Sequence, residues 1–158
     1  MNTTITDKTI LLSKKGMKEL KKTIIQLEHD KQQELKSLRE LDKTLDRDDH
    51  LSRIERLSNI ESIESELNDK KLILSTAKLL PTKRTRLQVA IGSVVDLIDK
   101  HGHMFRYTIV DSIEANPSDG RISTLSPLGQ SLVGRTVRDI IEWGNGVKTN
   151  QFQLIRIV

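Results

Sequence analysis

The sequence predicts an α+β protein: an N-terminal antiparallel α-helical hairpin, then a C-terminal, mostly antiparallel sheet domain with one short helix. Three observations predict it. Between Gly16 and Pro81 there is no glycine or proline over 64 residues, whereas seven of the eight glycines lie beyond Pro81. Apolar residues of the first half recur every three or four positions, the period of a helix, while those of the second half alternate in short β-branched runs. Charge divides the same way: residues 1–80 carry 16 Lys and Arg against 15 Asp and Glu, and residues 81–158 carry 10 against 7.

Ser13 is placed to cap the first helix. Met17, Leu20, Ile24 and Leu27, then Leu35, Leu38, Leu41 and Leu45, form one narrow apolar stripe. Leu51, Ile54, Leu57, Ile60, Ile63, Leu67, Leu74 and Ala77 form a second. Between them stands Asp46-Arg47-Asp48-Asp49-His50, residue types that prefer caps and turns. If the chain reverses there, facing positions should have a constant sum. Leu45 with Leu51, Leu41 with Ile54, Leu38 with Leu57, Leu27 with Leu67, Leu20 with Leu74 and Met17 with Ala77 give sums of 94 to 96. The apex then falls at Arg47–Asp48. A first arm over residues 14–44 would run about 47 Å, a finger tipped with three aspartates.

The texture changes after Pro81. Residues 1–80 are assigned to the hairpin, with its acidic tip near 46–49, residues 81–87 to a basic linker and residues 88–158 to the sheet domain. Strands are expected over Val89–Ile98, Phe105–Ile113, Ile122–Leu125, Val137–Trp143 and Phe152–Val158, separated by Gly-, Asn- and Pro-rich turns. Ser126 before Pro127 is a cap and first-position pair, so a short helix is expected there.

Composition narrows the function. Hydrophobic residues make up 35% and aromatics 3%, too apolar for a disordered chain and thin for one compact core. With no cysteine, disulfides, thiolate metal sites and a cysteine nucleophile are excluded. No apolar run approaches the ~20 residues of a membrane span, and no secretory leader opens the chain, so a cytoplasmic protein without a membrane partner is expected. The net charge of +4 is mild and its interspersed pattern reads as solvated helix surface. Phosphate-loop, dinucleotide and zinc-helix motifs are absent. His101 and His103 read as a solvated turn and Lys83–Arg86 as a basic linker. Asp46, Asp48 and Asp49 fit helix capping. They also fit oxygen-only ligation of magnesium, although two or three carboxylates are too few to hold the ion alone.

The opening Thr9-Ile10-Leu11-Leu12-Ser13-x-x-Gly16, the long acidic-tipped hairpin, and Ser126-Pro127-Leu128-Gly129-Gln130-Ser131-Leu132-Val133-Gly134 with Asp139 five residues on resemble the bacterial Gre family of transcript cleavage factors. The resemblance covers essentially the whole chain. It implies an FKBP-like C-terminal domain that docks, through Ser126, Pro127 and Gly129, on the rim of the secondary channel of bacterial RNA polymerase. It implies a coiled coil that enters the channel toward the nascent RNA 3′ end. Asp46 and Asp49 fall on the family's acid-x-x-acid tip, as groups acting in trans on the Mg2+ of the polymerase active site, with Asp48 a third candidate. Such a factor is a monomer, has no cofactor of its own and is not itself a nuclease. Leu45, His50 and Arg53 depart from the family's glycine, asparagine and tyrosine, and Asp49 is one methylene shorter than the family's glutamate. Some Gre homologues inhibit cleavage, so an inhibitory regulator is the alternative.

Overall fold

The computed structural model describes residues 9–43, 50–81, 86–144 and 147–158. They form two compact units, one spanning Met17–Ala77 and the other uniting Lys78–Val158 with the residues up to Gly16. The residues 9–16, grouped by sequence with the hairpin, therefore cluster with the C-terminal unit.

The helical unit consists of α1 (Lys14–Leu41) and α2 (His50–Thr76). Twenty-eight residues make α1 about 42 Å long. Leu20 and Ile24 of α1 and Ile60 and Leu67 of α2 are buried. Cross-helix ion pairs fix the antiparallel register: Lys71–Glu28 and Lys31–Glu64, each at 2.7 Å, Arg56–Glu34 at 3.1 Å, and Arg53–Asp42. Their position numbers add to between 90 and 99, bracketing the 94 to 96 expected of an apex at 47–48. These pairs are partly exposed, where each contributes about 0–1 kcal/mol. They specify register more than they stabilise.

One expectation fails. Leu51, Ile54 and Leu57 do not line the seam but are 80%, 57% and 46% exposed. Arg53 and Arg56 turn toward α1 in their place, meeting Asp42 and Glu34. The apolar stripe holds only the half of α2 nearest the sheet unit in sequence, and charge holds the rest.

In the second unit β1 (Ile10–Leu12) and β2 (Ala77–Leu79) make a two-stranded ribbon, continued by Leu80 N–H donating to Leu12 O at 2.9 Å. The remaining strands are β3 (Val94–Asp99), β4 (Met104–Val110), β5 (Arg121–Ser123), β6 (Ile140–Gly144) and β7 (Thr149–Ile157), in the order β5-β4-β3-β7-β6. All pairings are antiparallel except β4 with β5, which is parallel, so the sheet is mostly antiparallel, as expected, with one parallel edge pair. Two 3-10 turns, Ser112–Glu114 and Pro117–Asp119, carry the chain across between those two strands.

Val95, Leu97, Ile109, Ile141, Leu154 and Ile157 share one core, with a β-bulge in the β3–β7 pairing bringing both Leu154 and Ile157, three residues apart, to the same face. The short helix α3 (Pro127–Leu132) adds Leu128 and Leu132 to it, each contributing about 2 kcal/mol by burial. Phe105 meets Phe152 edge-on at 5.7 Å between centroids. On the opposite face Asp96 lies between its cross-strand partners Arg106 and Arg156. Arg106 donates twice to it, at 2.7 and 3.0 Å. These bonds hold its carboxyl below the usual carboxylate range despite burial, helped by the charges of Arg106 and Arg156.

Candidate functional site

The segment carrying Ser126, Pro127 and Gly129 is built from the cap upward. Ser126 is extended at φ −68° and ψ 154°, and its Oγ accepts from Gly129 N–H at 3.0 Å. The same hydroxyl donates to Ser123 O at 2.7 Å, tying the helix start to the end of β5. Pro127 follows at the first helical position, where its missing N–H is no loss. A Cβ on Gly129 would overlap Ser123 O, so only glycine permits this close approach. Both polar functions of Ser126 are thus used inside the fold. The surface here is made by exposed Leu125 and Pro127.

The turn that follows α3 has its own geometry. Asp139 accepts from Thr136 N–H at 2.9 Å and Thr136 Oγ1 at 3.2 Å. The Thr136 backbone bond chiefly holds its carboxyl below the ordinary range. Arg138 N–H donates to Leu154 O at 2.7 Å, and Leu154 N–H donates to Asp139 O at 3.0 Å. Attachment to this fully buried leucine forces Arg138 to φ 78°, the left-handed region, the one such non-glycine residue among those described. An L-residue there is strained by roughly 1 kcal/mol. Beside it the segment before Ala90 runs along the turn, with Val89 N–H donating to Arg135 O at 2.9 Å and Gly134 N–H to Val89 O at 2.8 Å. A surface cleft of about 530 Å3 lies between them, lined by Arg86, Leu87, Gln88, Thr136 and Val137.

The first turn of α1 holds an arrangement that sequence reasoning missed. Ser13 Oγ accepts from Gly16 N–H at 2.9 Å, the cap expected of it. Glu114, buried in its 3-10 turn, accepts from Ser13 N–H at 2.8 Å and from Ser13 Oγ at 2.5 Å. A capping box ordinarily takes its acid from the third helical position. Here that position is Gly16, and an acid about a hundred residues away fills the role. The only signal in the sequence was a glycine three residues after a capping serine.

The aspartates Asp46, Asp48 and Asp49 lie outside the described residues, as do Leu45, Lys83 and Arg84. In sequence, the ion pair nearest them among the described residues is Asp42 with Arg53. His101 and His103, 6.1 Å apart between rings, are exposed around Asp99, which accepts from both backbone N–H groups at 2.8 and 2.9 Å. Burial pushes the Asp99 carboxyl up, but the His103 and His101 bonds outweigh it and leave it lowered. Among the described residues no group of three or more His, Asp or Glu could hold a metal ion. Nor is any described helix long and apolar enough to cross a membrane.

A paired helical hairpin preceding a curled mixed sheet, with a serine-capped helix between β5 and β6, defines a class of α+β proteins with one helical and one sheet unit. A family profile described as "Transcription elongation factor, GreA/GreB, C-term" matches residues 84–157. The transcription elongation factor GreA of Chlorobium phaeobacteroides is 31% identical over 137 residues, covering 84% of this chain and 86% of that protein. That of Nautilia profundicola is 36% identical over 126 residues, 77% of this chain and 76% of that protein. The chain belongs to the GreA/GreB family of transcription elongation factors. Among solved structures, GreA factor homolog 1 of Thermus thermophilus is 26% identical, covers 96% of this chain and 99% of its own, and superposes with a TM-score of 0.45.

Proposed function

We propose that this protein binds bacterial RNA polymerase, inserts its hairpin into the secondary channel and stimulates the polymerase's intrinsic cleavage of backtracked RNA, so rescuing arrested complexes. The observation that carries the reading is the hairpin. Its arms of 28 and 27 residues are paired as far as Asp42 and Arg53, and three aspartates stand in the segment 44–49 that joins them in sequence. Oxygen-only donors suit magnesium, yet three carboxylates are fewer than its octahedral shell demands, so the ion would be one shared with the polymerase, which holds it only weakly alone. Shared in this way, a second magnesium would supply a more acidic water and positive charge beside the leaving oxygen. Asp46 and Asp49 act as oxygen donors toward that ion, and the factor is not a nuclease by itself. Leu125 and Pro127, exposed beside the Ser126 cap, meet the channel rim.

Asp48, a third acid with no counterpart in the family's acid-x-x-acid pair, favours a second reading: a channel regulator that blocks cleavage. Stalled elongation complexes, incubated with and without the protein, decide between them. We expect faster RNA shortening in its presence and no cutting of free RNA by the protein with magnesium. Slower shortening with retained competition for the channel establishes the inhibitory reading, and no effect on transcription removes both.

A further inference from the structure

We infer that the cleft between the segment 86–88 and the turn 136–138 is a second contact for RNA polymerase, accepting an acidic polypeptide segment with an aliphatic side chain. The inference rests on the polymerase reading above. Three features of one surface point to it. The cleft, about 530 Å3, has Leu87, 79% exposed, and Val137, 41% exposed, as its apolar lining. Arg86 lines it, and Arg135 and Arg138 flank the lining pair Thr136 and Val137 in sequence, with Arg135 Nε donating to Ser131 O at 3.2 Å. The acid of that turn, Asp139, accepts from Thr136 and interacts with the charge of Arg135, so the cationic character of the cleft rests on Arg86 and Arg138.

The third feature is the strained residue itself. Arg138 holds a left-handed conformation that glycine adopts without strain, and its side chain is exposed. Among the described residues no hydrogen bond or ion pair takes up that guanidinium, and the bonds that shape the turn come from its backbone. An arginine kept where glycine fits better is explained by a partner that takes up its charge. Complementary charge selects an acidic partner. Leu87 and Val137 select a polypeptide over a nucleic acid, because the described lining residues include no aromatic ring on which a base could stack.

The test measures affinity of the full-length protein for core RNA polymerase, with Arg138→Gly and Leu87→Asp beside the parent. Arg138→Gly relieves strain, so its melting temperature should equal or exceed the parent's, and a weaker complex cannot be blamed on misfolding. We expect its dissociation constant to rise about fivefold at low salt, with the difference shrinking at high salt as screened charge requires. Leu87→Asp should weaken binding about tenfold. A parent that binds while both variants bind equally well overturns the inference alone. A parent that does not bind polymerase overturns the polymerase reading and this inference with it. If a single-stranded RNA oligonucleotide binds the free protein and Arg138→Gly abolishes that binding but spares polymerase affinity, the cleft serves nucleic acid and the inference is wrong.

Discussion

Gly16 sits in the first turn of α1, where alanine in place of glycine normally stabilises a helix by about 0.5–1 kcal/mol. Here a Cβ would overlap Oε1 and Cδ of Glu114. That carboxylate is buried and holds both the N–H and the hydroxyl of Ser13, so it cannot swing aside without leaving Ser13 and itself unsatisfied. The lost bonds, about 1–3 kcal/mol, exceed the propensity gain. Gly16→Ala should therefore destabilise the protein, read as a lower urea midpoint at unchanged slope. Glu114→Ala should destabilise it too, by removing the distant acid of the capping box. In the Glu114→Ala background Gly16→Ala should become neutral or stabilising, because its obstacle is gone. A Gly16→Ala variant more stable than the parent would show that Glu114 moves freely and that the trans-capping arrangement contributes nothing.

At the scale of elements, α3 gives a graded test. Ser126→Ala removes a hydroxyl that both accepts from Gly129 N–H and donates to Ser123 O, a loss of about 1–2 kcal/mol. Gly129→Ala meets a backbone carbonyl that is pinned at the end of β5 and has no rotamer to yield, so it should lose about 3 kcal/mol or more. Thermal unfolding should rank parent above Ser126→Ala above Gly129→Ala, and equal melting of the last two would refute the close-approach account. This helix was legible because Ser-Pro is a local signal, complete within two residues. Strands β3, β4, β6 and β7 were legible because alternation is local as well, although β3 begins at Val94, five residues after the expected Val89. The parallel pairing of β4 with β5 was not legible, since it depends on the two 3-10 turns that carry the chain across. Nor was the outward turn of Leu51, Ile54 and Leu57. Helical spacing identifies which residues share a face, but Asp42 and Glu34 decide which face α2 presents to α1. Arg53 and Arg56 share a face as regularly as the leucines do, so periodicity alone could not choose.

For the whole molecule, the proposed chemistry divides into parts that fail separately: folding, binding to polymerase and action on the bound RNA. Asp46→Asn and Asp49→Asn probe the last of these. Asparagine nearly conserves shape and caps helices about as well as aspartate, so neither folding nor capping should suffer. Each substitution removes one anionic oxygen donor. Even groups acting indirectly at metal sites alter activity by about tenfold to a hundredfold, and direct donors should do at least that. We expect each variant to lose stimulated cleavage on that scale while melting like the parent and competing equally for polymerase. Asp48→Asn should lose less, having no counterpart in the acid-x-x-acid spacing. Raising magnesium should restore part of the lost activity if recruitment of the ion is the damaged step, because mass action replaces the missing ligand's contribution to binding. Failure of magnesium to restore either variant would move the role of the acids from holding the ion to orienting water. Cleavage at the parent's rate by both Asn variants would remove Asp46 and Asp49 from the chemistry altogether, whatever the hairpin then does in the channel.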